Sequence, residues 1–210
     1  MFFDINGNIT VNNIIQYSDK NYDELKNKAL NCKRCHLREK CNQVVMGEGS
    51  TENHIMLIGE GPGADEDRIG TPFVGRAGQL LDKILKAVGI DRDDIYISNI
   101  VKCRPPGNRK PTENEVLACA PILISEIKLI DPKVIVPLGS TALKTLINKN
   151  ASITRMRGEW IQRGKYFFLP TFHPAYLLRN SNMKEHVWYD FKKIKKALER
   201  IKELKNNNNL

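Results

Sequence analysis

The chain has 210 residues, enough for one domain with a sizeable hydrophobic core. Its net charge of +9 and pI of about 9.3 favour a polyanionic partner, nucleic acid ahead of a membrane surface, although a basic soluble enzyme also fits. No apolar run is long enough for a membrane-spanning helix, and the first residues lack signal-peptide character. We therefore expect a cytoplasmic protein, in which clustered cysteines indicate metal ligation rather than disulfides.

The predicted elements begin with an Asn-rich, weakly patterned segment over residues 1–20, which suggests an arm or an appended strand. The main domain is predicted over residues 21–205, followed by a polar, disordered tail over residues 206–210. Apolar runs ending in glycine or polar residues predict buried strands at 54–58, 95–99 and 133–137. Helical spacing predicts helices at 22–30, 75–88, 139–147 and 185–205.

Two further signals complete the pattern. Thr112 and Glu115 have the spacing of a capping box that opens a helix, which Pro121 is expected to kink or restart. A hairpin is predicted over residues 159–169, around Arg163 and Gly164. Alternating strands and helices imply an α/β fold, with a parallel sheet covered by helices on both faces.

Four of the five cysteines form a split set, with Cys32 and Cys35 in one turn and Cys103 and Cys119 much later. A shared metal centre would pin the N-terminal segment onto the body of the fold. Four thiolates suit either zinc or an iron–sulfur cluster, and the number of ligands does not choose between them. Cys41 lies near the first pair, so spacing alone leaves a Cys32, Cys35 and Cys41 set open.

A glycine-rich turn follows the first predicted strand. Gly59, Gly61 and Ala64 match a dinucleotide-binding fingerprint, but Pro62 removes a backbone donor and residues 65–67 place carboxylates where a phosphate would lie. The turn has another use, because ligands of open α/β sheets bind at the carboxyl ends of strands and glycine allows close backbone approach.

A pocket for a planar ring is therefore expected beside the turn. Phe73 would stack on the ring, Asn99 would read its edge, and backbone groups near Glu60 and Gly61 would add contacts. The alternative is structural, with Phe73 in the core and Asn99 capping a strand.

His173 also follows an apolar run, at a strand end where it could assist a leaving group. The segment from Tyr176 to Arg179 is typical of a wedge that enters a base stack while a cation binds phosphate, or of a hydrophobic packing turn. Arg104, Arg109 and Lys110 suggest a strand-tracking surface. The lysines at 192–196 are better explained as a solvated helix face.

Together these motifs resemble the family 4 uracil-DNA glycosylases, the iron–sulfur members of the uracil-DNA glycosylase superfamily. The resemblance extends from about Cys32 to about Arg200 and rests on the segments at residues 59–63, 70–78, 99–109 and 173–179. It implies a three-layer α/β/α fold around a mainly parallel four-stranded sheet. It also implies a monofunctional enzyme that hydrolyses the N-glycosidic bond of uracil in single- or double-stranded DNA, acting as a monomer and leaving an abasic site.

The resemblance further implies roles for particular residues. A [4Fe–4S] cluster is expected on Cys32, Cys35, Cys103 and Cys119. The uracil pocket is expected from Gly59, Glu60, Gly61, Phe73, Asn99 and His173. DNA contacts are expected from Arg104, Arg109, Lys110, Leu178 and Arg179.

In the expected mechanism, His173 stabilises the departing uracil and a carboxylate orients water, with Glu66 slightly ahead of Glu60. The run at residues 64–67 departs from the family's more uniformly Glu-rich pattern. A non-enzyme alternative is a zinc-stapled nucleic-acid-binding module.

Overall fold

The computed structural model describes residues 2–10 and 21–207, which form one sheet with helices packed against it. The strands are β1 (Glu48–Gly49), β2 (Ile55–Gly59), β3 (Tyr96–Asn99), β4 (Val134–Pro137), β5 (Ile161–Arg163) and β6 (Tyr166–Phe168). The helices are α1 (Tyr22–Leu30), α2 (Leu37–Lys40), α3 (Ala64–Ile69), α4 (Arg76–Ala87), α5 (Glu113–Ile130), α6 (Gly139–Leu146), α7 (Ile153–Met156), α8 (Pro174–Leu177) and α9 (Lys184–Asn207).

The strand order is β1-β3-β2-β4-β6-β5. The four central strands β3, β2, β4 and β6 run parallel, and β1 and β5 pair antiparallel at the two edges. The mainly parallel α/β architecture is therefore confirmed. The sheet has six strands rather than the expected four, because two short edge strands extend the parallel set.

Two hydrophobic cores occupy the two faces of the sheet, which gives the three layers. Successive residues of a strand point to opposite faces. Ile55 and Leu57 of β2 accordingly pack with α4, α8 and α9, whereas Met56 and Ile58 pack with α1, α5 and α6. Because β2 is buried on both faces, its run is apolar throughout, as is usual for a parallel strand inside a sheet.

Helix α5 begins at the predicted capping box. The Thr112 side chain accepts a hydrogen bond from the Glu115 N–H, and Glu115 accepts in return from the Thr112 N–H at 2.7 Å. Pro121 lies inside α5, which continues without a break to Ile130, so the predicted restart does not occur. Cys119 and Glu126 are thereby held on one continuous helix.

The chain ends differ in part from the expectation. Phe2 and Phe3 are buried, and their N–H groups donate to Thr145 and Leu146 carbonyls at 2.8 and 3.1 Å, so the first residues pack on α6. The remainder of the predicted arm, residue 1 and residues 11–20, lies outside the described residues, as do 208–210. Residues 206 and 207, expected in the tail, continue α9. Within the described ranges, no helix has the length and apolar character needed to cross a membrane.

Candidate active site

A cleft of about 910 Å³ opens where the parallel strands end. β2 ends at Gly59, β3 at Asn99 and β4 at Pro137, and His173 follows β6. The carboxyl ends of parallel strands meet at one edge of a sheet, which is the usual ligand site in open α/β folds.

Three pocket residues are packed against one another at the end of β2. A Cβ placed on Gly59 would lie 2.4 Å from the Asn99 Oδ1 atom and 2.5 Å from the Phe73 Cζ atom, so a side chain here would displace both. Phe73 adopts a φ of 53°, unusual for a bulky residue, and its loop lies close on Gly78 of α4. The backbone therefore brings together the aromatic ring and the amide that the sequence predicted.

Asn99 carries an unused acceptor. The residue is 2% exposed, and within the described part of the chain its Oδ1 has no hydrogen-bond partner. An unsatisfied buried polar group costs about 1–3 kcal/mol, and its presence calls for an explanation. Because Asn99 lines the cleft, a ligand donor is the natural partner.

His173 is held in one orientation and one tautomer. Its Nδ1 accepts a hydrogen bond from the Ala175 N–H at 3.1 Å, so the neutral ring carries its proton on Nε2. Burial lowers the pKa of His173 from 6.5 to about 4, and the ring is therefore neutral at pH 7. The ring lies 5.5 Å from the Phe73 ring with an interplanar angle of 29°.

The two candidate carboxylates have different surroundings. Glu66 accepts hydrogen bonds from the N–H groups of Gly63, Val74 and Gly75 at 3.0, 3.0 and 2.8 Å, which engages both of its oxygens. Glu60 lines the cleft, and among the residues that the structure describes it accepts one hydrogen bond, from the Thr141 hydroxyl to Oε2. Glu66 therefore closes the glycine-rich loop, whereas Glu60 keeps an oxygen available.

The Glu66 contacts also argue against the dinucleotide alternative. The N–H of Gly63 stands at the start of α3, where a phosphate would bind, and the chain's own carboxylate already takes it. A pyrophosphate would have to displace this anion.

Sequence reasoning missed Thr141 and Arg76, which also line the cleft. Thr141 lies in α6, directly after the end of β4, and Arg76 opens α4. The rule that ligands bind at strand ends could have found Thr141, because it follows shortly after the third predicted strand, and Asn99 is the last residue of the second.

The predicted DNA-contacting residues differ in whether they line the cleft and in whether their side chains already bind another residue. Lys110, Leu178 and Arg179 are exposed and line the cleft. Arg109 also lines it, but its guanidinium binds both oxygens of Glu115, at 2.6 and 2.8 Å. Arg104 does not line the cleft, and its Nε donates to the Asn108 Oδ1 at 2.7 Å.

The four predicted metal-ligating cysteines surround a second, small cavity. Cys32 and Cys35 follow α1, Cys103 follows β3, and Cys119 projects from α5. The Arg34 Nε donates to the Ala118 carbonyl at 3.0 Å and holds the first pair against α5. The two cysteine pairs, which are far apart in the sequence, thus line the same cavity.

Burial disfavours the thiolate form of three of the cysteines that line this cavity. Burial raises the pKa of Cys119 to about 12, and it also raises the pKa values of Cys35 and Cys103. Among residues 2–10 and 21–207, no group of three or more His, Cys, Asp or Glu side chains is arranged to hold a metal ion. Cys41 does not line the cavity, but its thiol interacts with Cys103.

Comparison with known proteins identifies the family to which these motifs belong. The family model described as the uracil DNA glycosylase superfamily matches residues 46–193. The chain belongs to the uracil-DNA glycosylase superfamily. The matched segment contains the glycine-rich turn, Asn99, Cys103, Cys119 and His173, whereas Cys32 and Cys35 precede it.

Relatives within this superfamily match most of the chain. A type-4 uracil-DNA glycosylase of Thermotoga maritima is 46% identical over 175 residues, covering 80% of this chain and 90% of that protein. One of Sulfurisphaera tokodaii is 42% identical, covering 82% of this chain and 83% of that protein. A type-5 uracil-DNA glycosylase of Pyrobaculum aerophilum is 29% identical, covering 76% of this chain and 85% of that protein. The similarity to family 4 noted in the motifs is confirmed.

Proposed function

We propose that this glycosylase-family chain flips uracil out of DNA and hydrolyses its N-glycosidic bond, releasing free uracil and leaving an abasic site. The names of the type-4 relatives support uracil excision as a repair activity. The observation that carries the proposal is the Asn99 Oδ1, which has no hydrogen-bond partner among residues 2–10 and 21–207 and lies near Phe73 and His173 at the strand ends.

Asn99 would recognise the base edge. Its Oδ1 can accept from the N3–H of uracil, while its amide nitrogen can donate to O4. Cytosine presents the reverse pattern, with an acceptor at N3 and an amine at position 4. Phe73 would contact the face of the base, and Glu60 and Gly61 line the cleft beside it. Gly59 does not line the cleft, and its lack of a side chain leaves room for the Asn99 amide and the Phe73 ring.

His173 would stabilise the leaving group. Uracil departs with negative charge developing on O2, and the Nε2–H of a neutral imidazole is a suitable donor to that oxygen. Because Nδ1 is already bonded to the Ala175 N–H, the ring does not need to reorient during the reaction. The neutral ring also avoids placing a positive charge beside the oxocarbenium-like sugar.

We assign the water-orienting carboxylate to Glu60, which reverses the order expected from the sequence. Thr141 holds Oε2, so the Oε1 of Glu60 can accept from a water molecule aimed at the sugar. The negative charge would also balance the positive charge that develops on the sugar. Glu66 is engaged by three backbone N–H groups and is assigned a structural role.

The rim of the cleft would bind the DNA strand. Lys110 and Arg179 are exposed there and can contact phosphates, while Leu178 can fill the gap left by a flipped base. The substrate is proposed to be single- or double-stranded DNA containing uracil. A cytoplasmic location and a monomeric state stay predictions.

We further propose that Cys32, Cys35, Cys103 and Cys119 hold a [4Fe–4S] cluster. The four cysteines line one cavity, and four cysteine thiolates are the ligand set that a [4Fe–4S] cluster would take. The cluster would tie the N-terminal segment to α5. Hydrolysis needs no electrons, so its role is structural.

The activity test uses oligonucleotides that are identical except for uracil, cytosine or thymine at one position. Single-turnover incubation followed by alkali should cleave only the uracil strand. Asn99→Asp should lose uracil excision strongly, because sites built to hydrogen-bond a substrate discriminate by about 10⁴–10⁵. Strand binding without cleavage by the wild type would instead favour the nucleic-acid-binding module without catalysis.

The cluster test is spectroscopic. Protein purified without oxygen should be brown and contain iron, and Cys32→Ala or Cys119→Ala should abolish the colour. Cys41→Ala is the matched control and should keep it. Colourless wild-type protein containing zinc would overturn the cluster proposal and leave the excision assay unaffected.

A further inference from the structure

A fully buried ion pair lies between the two sites. The side chains of Lys102 and Glu126 form a salt bridge and are 1% and 0% exposed. Burying two charges costs as much as their attraction returns in many proteins, so stability alone is a weak reason for such a pair. Its position suggests another reason.

The ammonium group of Lys102 is completely engaged. Its Nζ donates to the Ser98 Oγ at 2.6 Å, to the Asn99 carbonyl at 2.9 Å, and to Glu126. An ammonium has three protons, so these three partners use all of them. Two of the three belong to the last two residues of β3.

Glu126 fixes the ammonium from the side of α5. Its Oε2 also accepts from the Ser98 hydroxyl at 2.8 Å, and its Oε1 accepts from the Gly47 N–H at 2.9 Å and the Tyr96 hydroxyl at 3.2 Å. A buried network with every member satisfied is rigid. Lys102 therefore has little freedom to move relative to Asn99.

The same residue touches the cysteine site. The backbone N–H of Lys102 donates to the Cys119 Sγ at 3.3 Å, and Lys102 directly precedes Cys103. Lys102 thus connects the backbone of Asn99 to two of the four cysteines, Cys103 and Cys119.

We propose that Lys102 is a positioning residue for Asn99, with Glu126 as its anchor. The ammonium holds the Asn99 carbonyl and so sets the direction in which the Asn99 side chain enters the pocket. This inference rests on the proposed uracil excision, because it assigns Asn99 as the group that reads the base. It also provides a physical link by which the cysteine site supports base recognition.

The test replaces the charged side chains of Lys102 and Glu126 with neutral ones, both in the wild-type chain and in a chain that carries Asn99→Ala. Lys102→Met alone leaves Glu126 buried without its cation, so the double variant Lys102→Met/Glu126→Gln is made beside it to keep the fold. Leu198→Ala, in the core of the other sheet face, serves as a control for lost stability. Uracil excision is measured by single-turnover kinetics well below each protein's melting temperature, and iron content is measured in parallel.

The double variant should fold, keep its iron and excise uracil about 10²-fold more slowly, since a small misplacement of a positioning group has an effect of that size. In an Asn99→Ala background, followed over hours, the same pair of substitutions should change the rate by less than about twofold, because the effects of coupled residues are not additive. Leu198→Ala should keep wild-type excision at the same temperature.

Two outcomes would overturn the assignment. One is a double variant that excises uracil at the wild-type rate, and the other is an equal loss in both backgrounds. If the double variant fails to fold, Ser98→Ala replaces it, because it loosens Lys102 without removing a charge. Slower excision that depends on Asn99 is again expected, and unchanged excision again contradicts the role. Failure of the proposed function is distinct, since wild-type protein would then leave uracil in place.

Discussion

Two glutamates in the same loop region have opposite assignments because their hydrogen-bond partners differ. Glu60→Gln should lower single-turnover excision by about 10²–10⁴, the usual contribution of a positioned acid or base, with little change in melting temperature. Glu66→Gln should instead lower the free energy of unfolding by about 1–3 kcal/mol, because an amide cannot accept equally at both oxygen positions.

Thr141 provides the matched control for this assignment. Thr141→Val removes the hydroxyl that holds Glu60, and Thr141→Ser keeps it. Excision should fall in the valine variant and recover in the serine variant. If Glu66→Gln loses excision at full stability while Glu60→Gln keeps it, the two roles are exchanged.

The neutral state of His173 has consequences for pH dependence. Its pKa in the folded protein is lowered from 6.5 to about 4 by burial, so the rate of excision should show no titration of His173 between pH 6 and 8. In the window from pH 6.5 down to about 4, the unfolded chain binds a proton that the folded chain does not. Stability from this group therefore falls as the pH drops through that window.

His173→Ala checks both parts of this prediction. It should slow excision by about 10²–10³, the typical loss for one charge-stabilising donor, while DNA binding survives. Chemical denaturation at pH 7 and pH 5 should show a smaller acid-induced loss of stability in the variant than in the wild type. A titration near pH 6.5 in the rate, present in the wild type and absent in the variant, would contradict the neutral ring.

Helix α5 connects the cysteine site to the rim of the cleft through its first turn. The Glu115 side chain is 1% exposed and accepts hydrogen bonds from the Arg109 guanidinium and from the Thr112 N–H. Its Oε1 also lies 2.8 Å from the Nε2 of His36, which follows the first cysteine pair. The Arg109 guanidinium contributes most to lowering the pKa of Glu115, from 4.5 to about 2. The Glu115 carboxylate therefore holds the segment that carries Arg109 and the segment that carries His36 against the first turn of α5.

Replacing this carboxylate should destabilise the protein in a pH-dependent way. Glu115→Gln should lower the free energy of unfolding at pH 7 by about 2 kcal/mol, from the lost cap and charged hydrogen bonds. A group with a lowered folded pKa stabilises above its unfolded pKa, so the difference from the wild type should shrink as the pH falls from 4.5 toward 2. Denaturant titrations at several pH values measure it. Glu113→Gln, exposed in the same turn, should show almost no effect at any pH.

The elements and the outline of the site were predictable because they depend on local pattern. Asn99 and His173 follow apolar runs, and the strand-end rule places such residues together without any knowledge of packing. The role of Glu66 was not predictable, because its partners Val74 and Gly75 are brought to it by a loop that turns at the positive φ of Phe73. The hairpin predicted over residues 159–169 is confirmed and contains the edge strand β5. The other edge strand, β1, has only two residues and carries too short a pattern to be recognised.

Over the whole molecule, the excess positive charge is unevenly available to DNA. On α9, Lys193 donates to the Gly158 carbonyl, Lys195 to the Gly89 carbonyl and Lys202 to Asp94, so these cations attach the helix to the body. The predicted solvated face holds for most of the lysines at 192–196, since Lys192, Lys193 and Lys196 are exposed. The cations that line the cleft are better placed to meet phosphate, and they include Lys110 and Arg179.

This uneven distribution predicts which substitutions weaken DNA binding. Lys110→Ala and Arg179→Ala should each reduce the salt dependence of duplex affinity by about 0.9 in the slope of log K against log salt, one phosphate contact each. Lys165→Ala is the control, because Lys165 pairs with Asp131 and does not line the cleft. Binding titrations at several salt concentrations measure the slopes, and equal slopes for all three variants would place the DNA elsewhere.

Leu178 should affect duplex and single-stranded substrates differently. This residue is 42% exposed on the rim, so truncation removes little buried surface and should leave stability intact. Flipping a base from a duplex costs a few kcal/mol of stacking and pairing, most of which is absent in a single strand. Leu178→Ala should therefore slow single-turnover excision from duplex DNA by about tenfold, which corresponds to roughly 1.4 kcal/mol of that cost. Excision from the matching single strand should change by less than about twofold, and an equal loss on both substrates would assign Leu178 to the base pocket rather than to the gap in the stack.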